Sequence, residues 1–492
     1  ALFSLPLLGG RIFLLKEKEG MHFNLIGKEM NKTMYTIDFK KPIHVHFIGI
    51  GGISMSGLAE ILLEEHFTIS GSDMNESDMT KKLSSLGANV MIGQKASNIT
   101  DDIDLVVYTA AIHEDNPELK AVREHQIPAL TRAQLLGQMM DNYKYPIAVS
   151  GTHGKTTTTS MLSHILLAAD MDPTISVGGI LDAIGGNIRV GKSNILVTEA
   201  CEYTNSYHSF NPAISIILNV EEDHLDFFSG IEEIRESFHT FAKKLPKEGL
   251  LVLNGDMDCA DQIKQGVEAS IVTFGIHNKN ATYCATNIAY DEQGNGSYDL
   301  MENGTITDHI HLHVNGIHNI MNSLSAIAVA KYLDISTEDI QKGLLAFTGT
   351  KRRFEYKGKV NGFTIIDDYA HHPTEITATL TAAQKYPHNE LWCVFQPHTY
   401  SRTIAFLDDF AEALSLSDHV ILTDIYAARE KDLGQVHSKD IVERMKQYDV
   451  DVHYISAFSD IEKFLLETCK NGDLLITMGA GNVVDIGENL LK

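Results

Sequence analysis

Apolar and polar positions alternate through "HVHFI" (44–48), break at a glycine turn, and resume with a helical period through "SMSGLAEILLEE" (54–65). That change of period predicts a strand, a tight turn and an amphipathic helix. The runs "FTISGSD", "ANVMIG" and "IDLVVYTAAI" follow at the spacing of strands alternating with helices, which implies a parallel α/β sheet with right-handed crossovers. "YPIAVSG" restarts the pattern near residue 144, and "SNILVTEAC" and "PAISIILNVEEDHLD" continue it. Beyond "LLAFTGTKRRFEY" a third series runs through "GFTIIDDYAHHP", "ELWCVFQPH", "DHVILTDIY", "DVHYIS" and "DLLITMGAGN". The expected organisation is therefore α/β, with domains over 34–143, 144–349 and 350–492. Residues 1–33 stand apart, because Pro6, Gly9, Gly10 and Arg11 interrupt an apolar run too short to span a bilayer. They are expected to be an upstream extension whose deletion leaves activity intact.

A chain of 492 residues exceeds what one hydrophobic core organises, and 43% hydrophobic with 21% charged content is that of an ordinary globular protein. The net charge of -25 argues against a general nucleic-acid footprint. It leaves room for a phosphorylated ligand, which needs only a local cluster of donors. Cys201, Cys259, Cys284, Cys393 and Cys469 include no C-x-x-C pair, so reduced thiols in a cytoplasmic protein without membrane insertion are expected.

Two glycine turns carry candidate chemistry. After the first strand, Gly49, Ile50, Gly51 and Gly52 form a turn with Ser54 in place of the third glycine of a dinucleotide fingerprint, and Asp73 closes the next strand. The turn suits a pyrophosphate at a helix N-terminus, but NAD binding and a ligand-free βα turn both fit. The second turn, Gly151-Thr152-His153-Gly154-Lys155-Thr156-Thr157, departs from the Walker A pattern at Val149. Its glycines still allow an anion nest, with Lys155 for the β- and γ-phosphates and Thr156 for Mg²⁺. Glu199 and His224 end other strands, and a parallel sheet collects strand ends at one edge. His318, Asn319 and Asn322 open an amide-rich helix, read either as a nucleoside contact or as a polar first turn. Arg352 and Arg353 enter the third segment, either to neutralise a transferred phosphoryl group or as an exposed basic pair.

Six motifs occur in order: GTHGKTTTT, the Glu199 strand end, N-x-E-x-D-H-L-D (219–226), G-x-H-N-x-x-N (316–322), RRFE (352–355) and DDYAHHPTE (367–375). Together they resemble the Mur ligases of peptidoglycan synthesis, from Met34 to the C-terminus. The resemblance implies Rossmann-like first and third domains around a P-loop ATPase-like central domain with a parallel sheet. It also implies that ATP phosphorylates the lactyl carboxylate of UDP-N-acetylmuramate and that the amine of L-alanine attacks the acyl phosphate. The GIGGxxMSG and DDYAHHP stretches point to the alanine-adding member.

Carried over by position, Lys155, Arg353 and His224 are implied to be catalytic. Thr156 and Glu199 are implied to hold one Mg²⁺, and His224 a second. Gly151, Thr152, His153, Gly154, Thr157, His318, Asn319, Asn322 and Asp368 are placed around ATP, and Gly49–Gly52, Ser72 and Asp73 around the UDP-sugar. Tyr369, His371, His372 and Arg402 are placed around the amino acid. Thr399 stands where some relatives have a second arginine, and no lysine precedes Lys243 after DHLD, so no carbamylated lysine is expected. The same motifs fit a ligase that adds a whole tripeptide during recycling, and the first turn alone fits an NAD-binding oxidoreductase. A monomer or a homodimer is equally compatible with the sequence.

Overall fold

The computed structural model describes residues 36–492 except 110, 111, 226, 292, 293, 350 and 429; the expected extension over 1–33 lies outside the described residues. Ile37–Lys492 forms one unit built on three sheets.

In the first sheet the strands run Asn89–Ile92, Thr68–Asp73, His44–Ile48, Leu105–Tyr108, Ala129–Thr131, all parallel. The chain starts in the middle and winds outward both ways, which leaves a crevice beyond the carboxyl end of His44–Ile48, where the first glycine turn sits.

The central sheet has ten strands. Tyr145–Ser150 lies between Ile195–Ala200 and Ile214–Ile217, both parallel to it, with Ser150 level with Ala200 and Ile217. The apolar run "YPIAVS" is buried on both faces, as a strand covered on both sides must be. Antiparallel strands extend the sheet at both edges, Gly186–Arg189 on one side and the pair Asn295–Glu302 and Thr305–Asn315 on the other. Those additions are the difference from a purely parallel expectation.

The third sheet orders Glu355–Val360, Phe363–Asp368, Leu474–Met478, Leu391–Phe395, His419–Leu422 and Asp451–Tyr454, antiparallel only at its first pair. Each of the two larger lobes has its own buried core. One is centred on Ile147, Val149, Leu162 and Ile216, the other on Ile366, Phe395, Phe410 and Ile476. Among the described residues no helix is long and apolar enough to cross a membrane.

Candidate active site between the central and third lobes

The phosphate loop follows Ser150 directly. Gly154 adopts φ 85° and caps the helix Lys155–Ala168 with no side-chain cap bond. A Cβ on Gly154 would come within 2.7 Å of Asn322 Oδ1, so both conformation and space require glycine here. The uncapped N-terminus leaves its first amides open to an anion. Lys155 Nζ donates to the carbonyl of Thr152 at 3.0 Å and to Glu202 Oε2 at 3.1 Å. Burial works against its charge, yet Glu202 keeps the ammonium above its ordinary pKa. Thr156 Oγ1 donates to Glu199 Oε2 at 3.0 Å, so the strand Ile195–Ala200 brings its terminal carboxylate to the loop, as the sheet-edge argument requires.

His224 belongs to a different part of the cleft. Its φ is 54°, and its Nε2 lies 3.8 Å from both Glu202 Oε1 and Asp223 Oδ2. Burial holds its pKa below the ordinary histidine value, so the imidazole is neutral near pH 7 and retains a lone pair. Glu202 therefore touches both Lys155 and His224, linking the two halves of the cleft. Thr156 and Glu199 offer a hydroxyl and a carboxylate together, whereas His224 does not end a strand as expected but lies in the loop beyond Ile214–Ile217 and offers its imidazole apart from them. Each suits a divalent cation such as Mg²⁺ with water completing its shell.

A cavity of about 390 Å³ is lined by the loop residues His153, Gly154, Thr156 and Thr157, by His318, Asn319 and Asn322, and by Arg353 and Asp368 of the third lobe. That volume suits a nucleotide-sized ligand. Asn322 Nδ2 donates to Asn319 Oδ1 at 3.3 Å, and Asn319 Nδ2 donates to the Asn315 carbonyl at 2.7 Å. Asp368 accepts the N–H groups of Phe354 and Ala370, each at 2.7 Å. Burial pushes its carboxyl up to about 6, against the pull of Arg353. The two arginines divide. Arg352 donates to Asp367 and to the carbonyls of Gly479 and Gly481, at 2.7–3.0 Å, whereas Arg353 faces the cavity, 3.5 Å from Glu375 Oε1.

A second cavity, about 280 Å³, is lined by Asp223, His224, Tyr369, His371, His398, Thr399, Arg402 and Phe406 among others. Arg402 Nη2 donates to Asp223 Oδ1 at 2.8 Å, with both side chains 9% exposed. Despite its burial, the Asp223 carboxyl is held far below the usual carboxylate range by Arg402 and His224. Burial also drops His371 to about 3. His372 is absent from this lining. It caps the helix Pro373–Ala383 by accepting the Thr374 N–H at 3.3 Å, and it packs 4.9 Å from the His153 ring.

In the first lobe, Gly49 and Ile50 donate their N–H groups to the Ser72 carbonyl, and Gly51 donates to Asp73 Oδ2 at 2.8 Å. Asp73 therefore shapes the turn itself. Ser72 turns inward, its hydroxyl donating to buried Glu118 at 2.5 Å; only its main chain touches the turn. Arg132 Nη1 reaches Ser54 Oγ at 3.0 Å, setting a cation beside the turn.

The sequence reading passed over Glu202, Glu221, Asp223, Glu375 and Arg132. Four of these lie in or beside quoted motifs, but spacing does not say which acid faces the cleft.

Sequence profiles match the chain along nearly all of its described length. They are the Mur ligase family catalytic domain at 44–144, the Mur ligase middle domain at 149–330 and the Mur ligase glutamate ligase domain at 352–481. The UDP-N-acetylmuramate–L-alanine ligase of Agathobacter rectalis is 60% identical over 459 residues, covering 93% of this chain and 100% of the relative. The protein of the same name from Lachnospira eligens is 58% identical with the same coverage. Among solved structures, the UDP-N-acetylmuramate-alanine ligase MurC of Thermotoga maritima aligns with TM-score 0.75 at 28% identity, over 91% of this chain and 98% of that one. A murein peptide ligase from Psychrobacter arcticus aligns with TM-score 0.67 at 26% identity, over 91% and 98%.

Proposed function

The chain belongs to the Mur ligase family, and we infer that it joins L-alanine to UDP-N-acetylmuramate at the expense of ATP in peptidoglycan precursor synthesis. The observation that carries this reading is 60% identity along the full length of a relative bearing that activity in its name. The geometry agrees with it, because a nucleotide-sized cavity beside the phosphate loop is accompanied by a second cavity lined in part by Arg402.

The chemical problem is to bring a carboxylate up to a triphosphate, two anions that repel. Arg353 lines the loop cavity, whereas the Lys155 ammonium is turned to the Gly151 and Thr152 carbonyls and Glu202. On our reading both cations lower that repulsion as charge shifts onto the leaving ADP, Lys155 by exchanging those contacts for phosphate oxygens. Thr156, Glu199 and His224 would hold Mg²⁺, in two ions by our reading, and the metal supplies Lewis-acid neutralisation of the phosphate oxygens. The lactyl oxygen bonds to the γ-phosphorus, the bond to the ADP oxygen breaks, and an acyl phosphate forms. The alanine nitrogen then attacks the acyl carbon, and orthophosphate leaves as the amide forms. Arg402 is suited to pair with the alanine carboxylate through two parallel N–H bonds. Tyr369 and His371 wall the same cavity. Asn319, Asn322, His318 and Asp368 are assigned to the nucleoside end, and Gly49–Gly52, with Asp73 behind them, to the UDP diphosphate. A requirement for ATP supports a cytoplasmic location.

The test is phosphate release with UDP-N-acetylmuramate and ATP across a panel of L-alanine, glycine, L-serine and the recycling tripeptide, with products weighed by mass spectrometry. L-Alanine should be preferred, over glycine only modestly, since one methyl group is worth about 1–3 kcal/mol. Preference for the tripeptide would move the chain to the recycling reaction, and no phosphate release would end the ligase reading.

A further inference from the structure

One side chain of the phosphate loop reaches across to the third lobe. The main chain at His153 is pinned from its own side, with its N–H donating to Asn219 Oδ1 at 2.7 Å and its carbonyl accepting from Asn219 Nδ2 at 3.1 Å. Held in that way, the imidazole lies between two carboxylates. Its Nε2 is 3.6 Å from Glu221 Oε2, and its Nδ1 is 3.3 Å from Glu375 Oε1. Glu221 follows the central-sheet strand Ile214–Ile217, whereas Glu375 stands in the first turn of the third-lobe helix Pro373–Ala383. Glu375 also takes the His371 N–H at 3.0 Å and lies 3.5 Å from Arg353 Nη1. Charges therefore alternate along Glu221, His153, Glu375 and Arg353, from the central sheet to the guanidinium that faces the phosphate cavity.

We propose that His153 is a positioning residue for the ligation, an imidazolium strut that holds Glu375, and with it Arg353 and His371, against the phosphate loop. The buried Nε2 makes no hydrogen bond among the described residues, so the tie to Glu221 is one of charge. A neutral imidazole gives the two carboxylates no cation between them, whereas the protonated ring attracts both. Burial opposes that charge, but Glu221 and Glu375 together raise the His153 pKa to about 9. The other titratable group packed against it is the His372 ring, whose pKa burial lowers, so it adds no competing charge near neutrality. A metal ion shared by His153, Glu221 and His372 is the rival use of this cluster, since their ligand atoms lie within 4.8 Å of one another. The cap bond from Thr374 to His372 Nδ1 puts the His372 proton on Nε2, which opposes that use. Without the strut, Glu221 and Glu375 face each other as like charges and Arg353 is left as the sole cation on Glu375.

The sign of the pH dependence follows. The strut is complete below the ordinary histidine value of about 6.5, persists through neutrality, and is lost as pH rises through about 9. The inference rests on the ligase reading, so the experiment separates the two. Steady-state rates are measured for wild type, His153→Gln, Glu375→Gln and the double variant, from neutral pH to about pH 10. Small-angle scattering of each substrate-free protein is recorded alongside. Each single change should lower kcat by about tenfold, with the KM for UDP-N-acetylmuramate unmoved, and the double variant should be no worse than the poorer single one. The alkaline fall of the wild type should be missing in His153→Gln, and that variant should be more extended in solution.

Multiplicative losses, or the same alkaline limb in both proteins, would overturn the strut. If His153→Gln does not fold, Glu375→Gln still decides. With Glu375 neutral the strut has nothing left to hold, so the alkaline limb must be missing from that variant too, and an unchanged limb refutes the proposal. A wild type inactive on alanine would sink the ligase reading, while scattering would still judge the strut.

Discussion

Replacing Arg402 with alanine isolates the amino-acid site. The guanidinium is already committed, donating from Nε at 3.3 Å and Nη2 at 2.8 Å to Asp223 Oδ1. A hydrogen bond to a charged group contributes about 1.5–3 kcal/mol, and each 1.4 kcal/mol is about a factor of ten in affinity. An alanine carboxylate bound to a free arginine would thus lose about 10- to 150-fold on truncation. Here one carboxylate replaces another, so the net gain is smaller and the expected rise in KM for alanine lies near the lower end, about tenfold. The assay is phosphate release against alanine concentration at saturating ATP and UDP-N-acetylmuramate, with Arg402→Lys as the control that keeps charge but loses the planar fork. A second signature is acid stability. Asp223 has a depressed folded pKa, so its pairing stabilises the fold above the ordinary carboxylate value of about 3.9 and fades as pH falls below it. The gap in melting temperature between wild type and Arg402→Ala should therefore be widest near neutrality and close towards acid. An unchanged KM for alanine would remove Arg402 from the site, whatever the melting curves show.

Lys155→Ala should lower kcat for ADP formation by about 10²–10³ while calorimetric binding of the UDP-sugar is unchanged; lost sugar binding would break the division of labour between lobes. Glu199→Ala should raise the Mg²⁺ concentration for half-maximal rate by at least the roughly 10–100-fold that weaker outer-sphere losses cost, and chelation should stop turnover reversibly. With Asp368 raised to about 6 by burial, the wild-type rate should fall as pH drops through that value and protonates it, and Asp368→Asn should flatten that limb. An acid limb that persists in the variant would assign it to another group.

The layered α/β plan was legible because the first and central sheets each open on an apolar run followed by glycine and a helical period, at His44–Ile48 and Tyr145–Ser150. What escaped were elements with weaker patterns. Ala129–Thr131 is only three residues long, and Glu355–Val360 at the third sheet's edge alternates little. The long edge strand Thr305–Asn315 carries its polar face in histidines. At the site, Lys155, Thr156 and Glu199 could be placed in advance because adjacent parallel strands must deliver their ends to one edge. Glu202 could not, since its role depends on the turn that follows that edge, where Thr204 and Asn205 take left-handed φ values. Ser72 and His372 show the opposite limit. Each lies in a correct motif, yet its side chain turns to a neighbour, Glu118 in one case and the helix start at Thr374 in the other.

Arg352 has one more consequence, for motion. Its three donors stitch it to Asp367, Gly479 and Gly481, all within the third lobe, so the chain is already riveted there when it reaches residue 352. Any swing of that lobe must therefore pivot upstream of this rivet, after the helix that ends at Ala346. Arg353, one residue beyond the rivet, belongs to the same lobe, so any such swing would set how far its guanidinium stands from the phosphate loop.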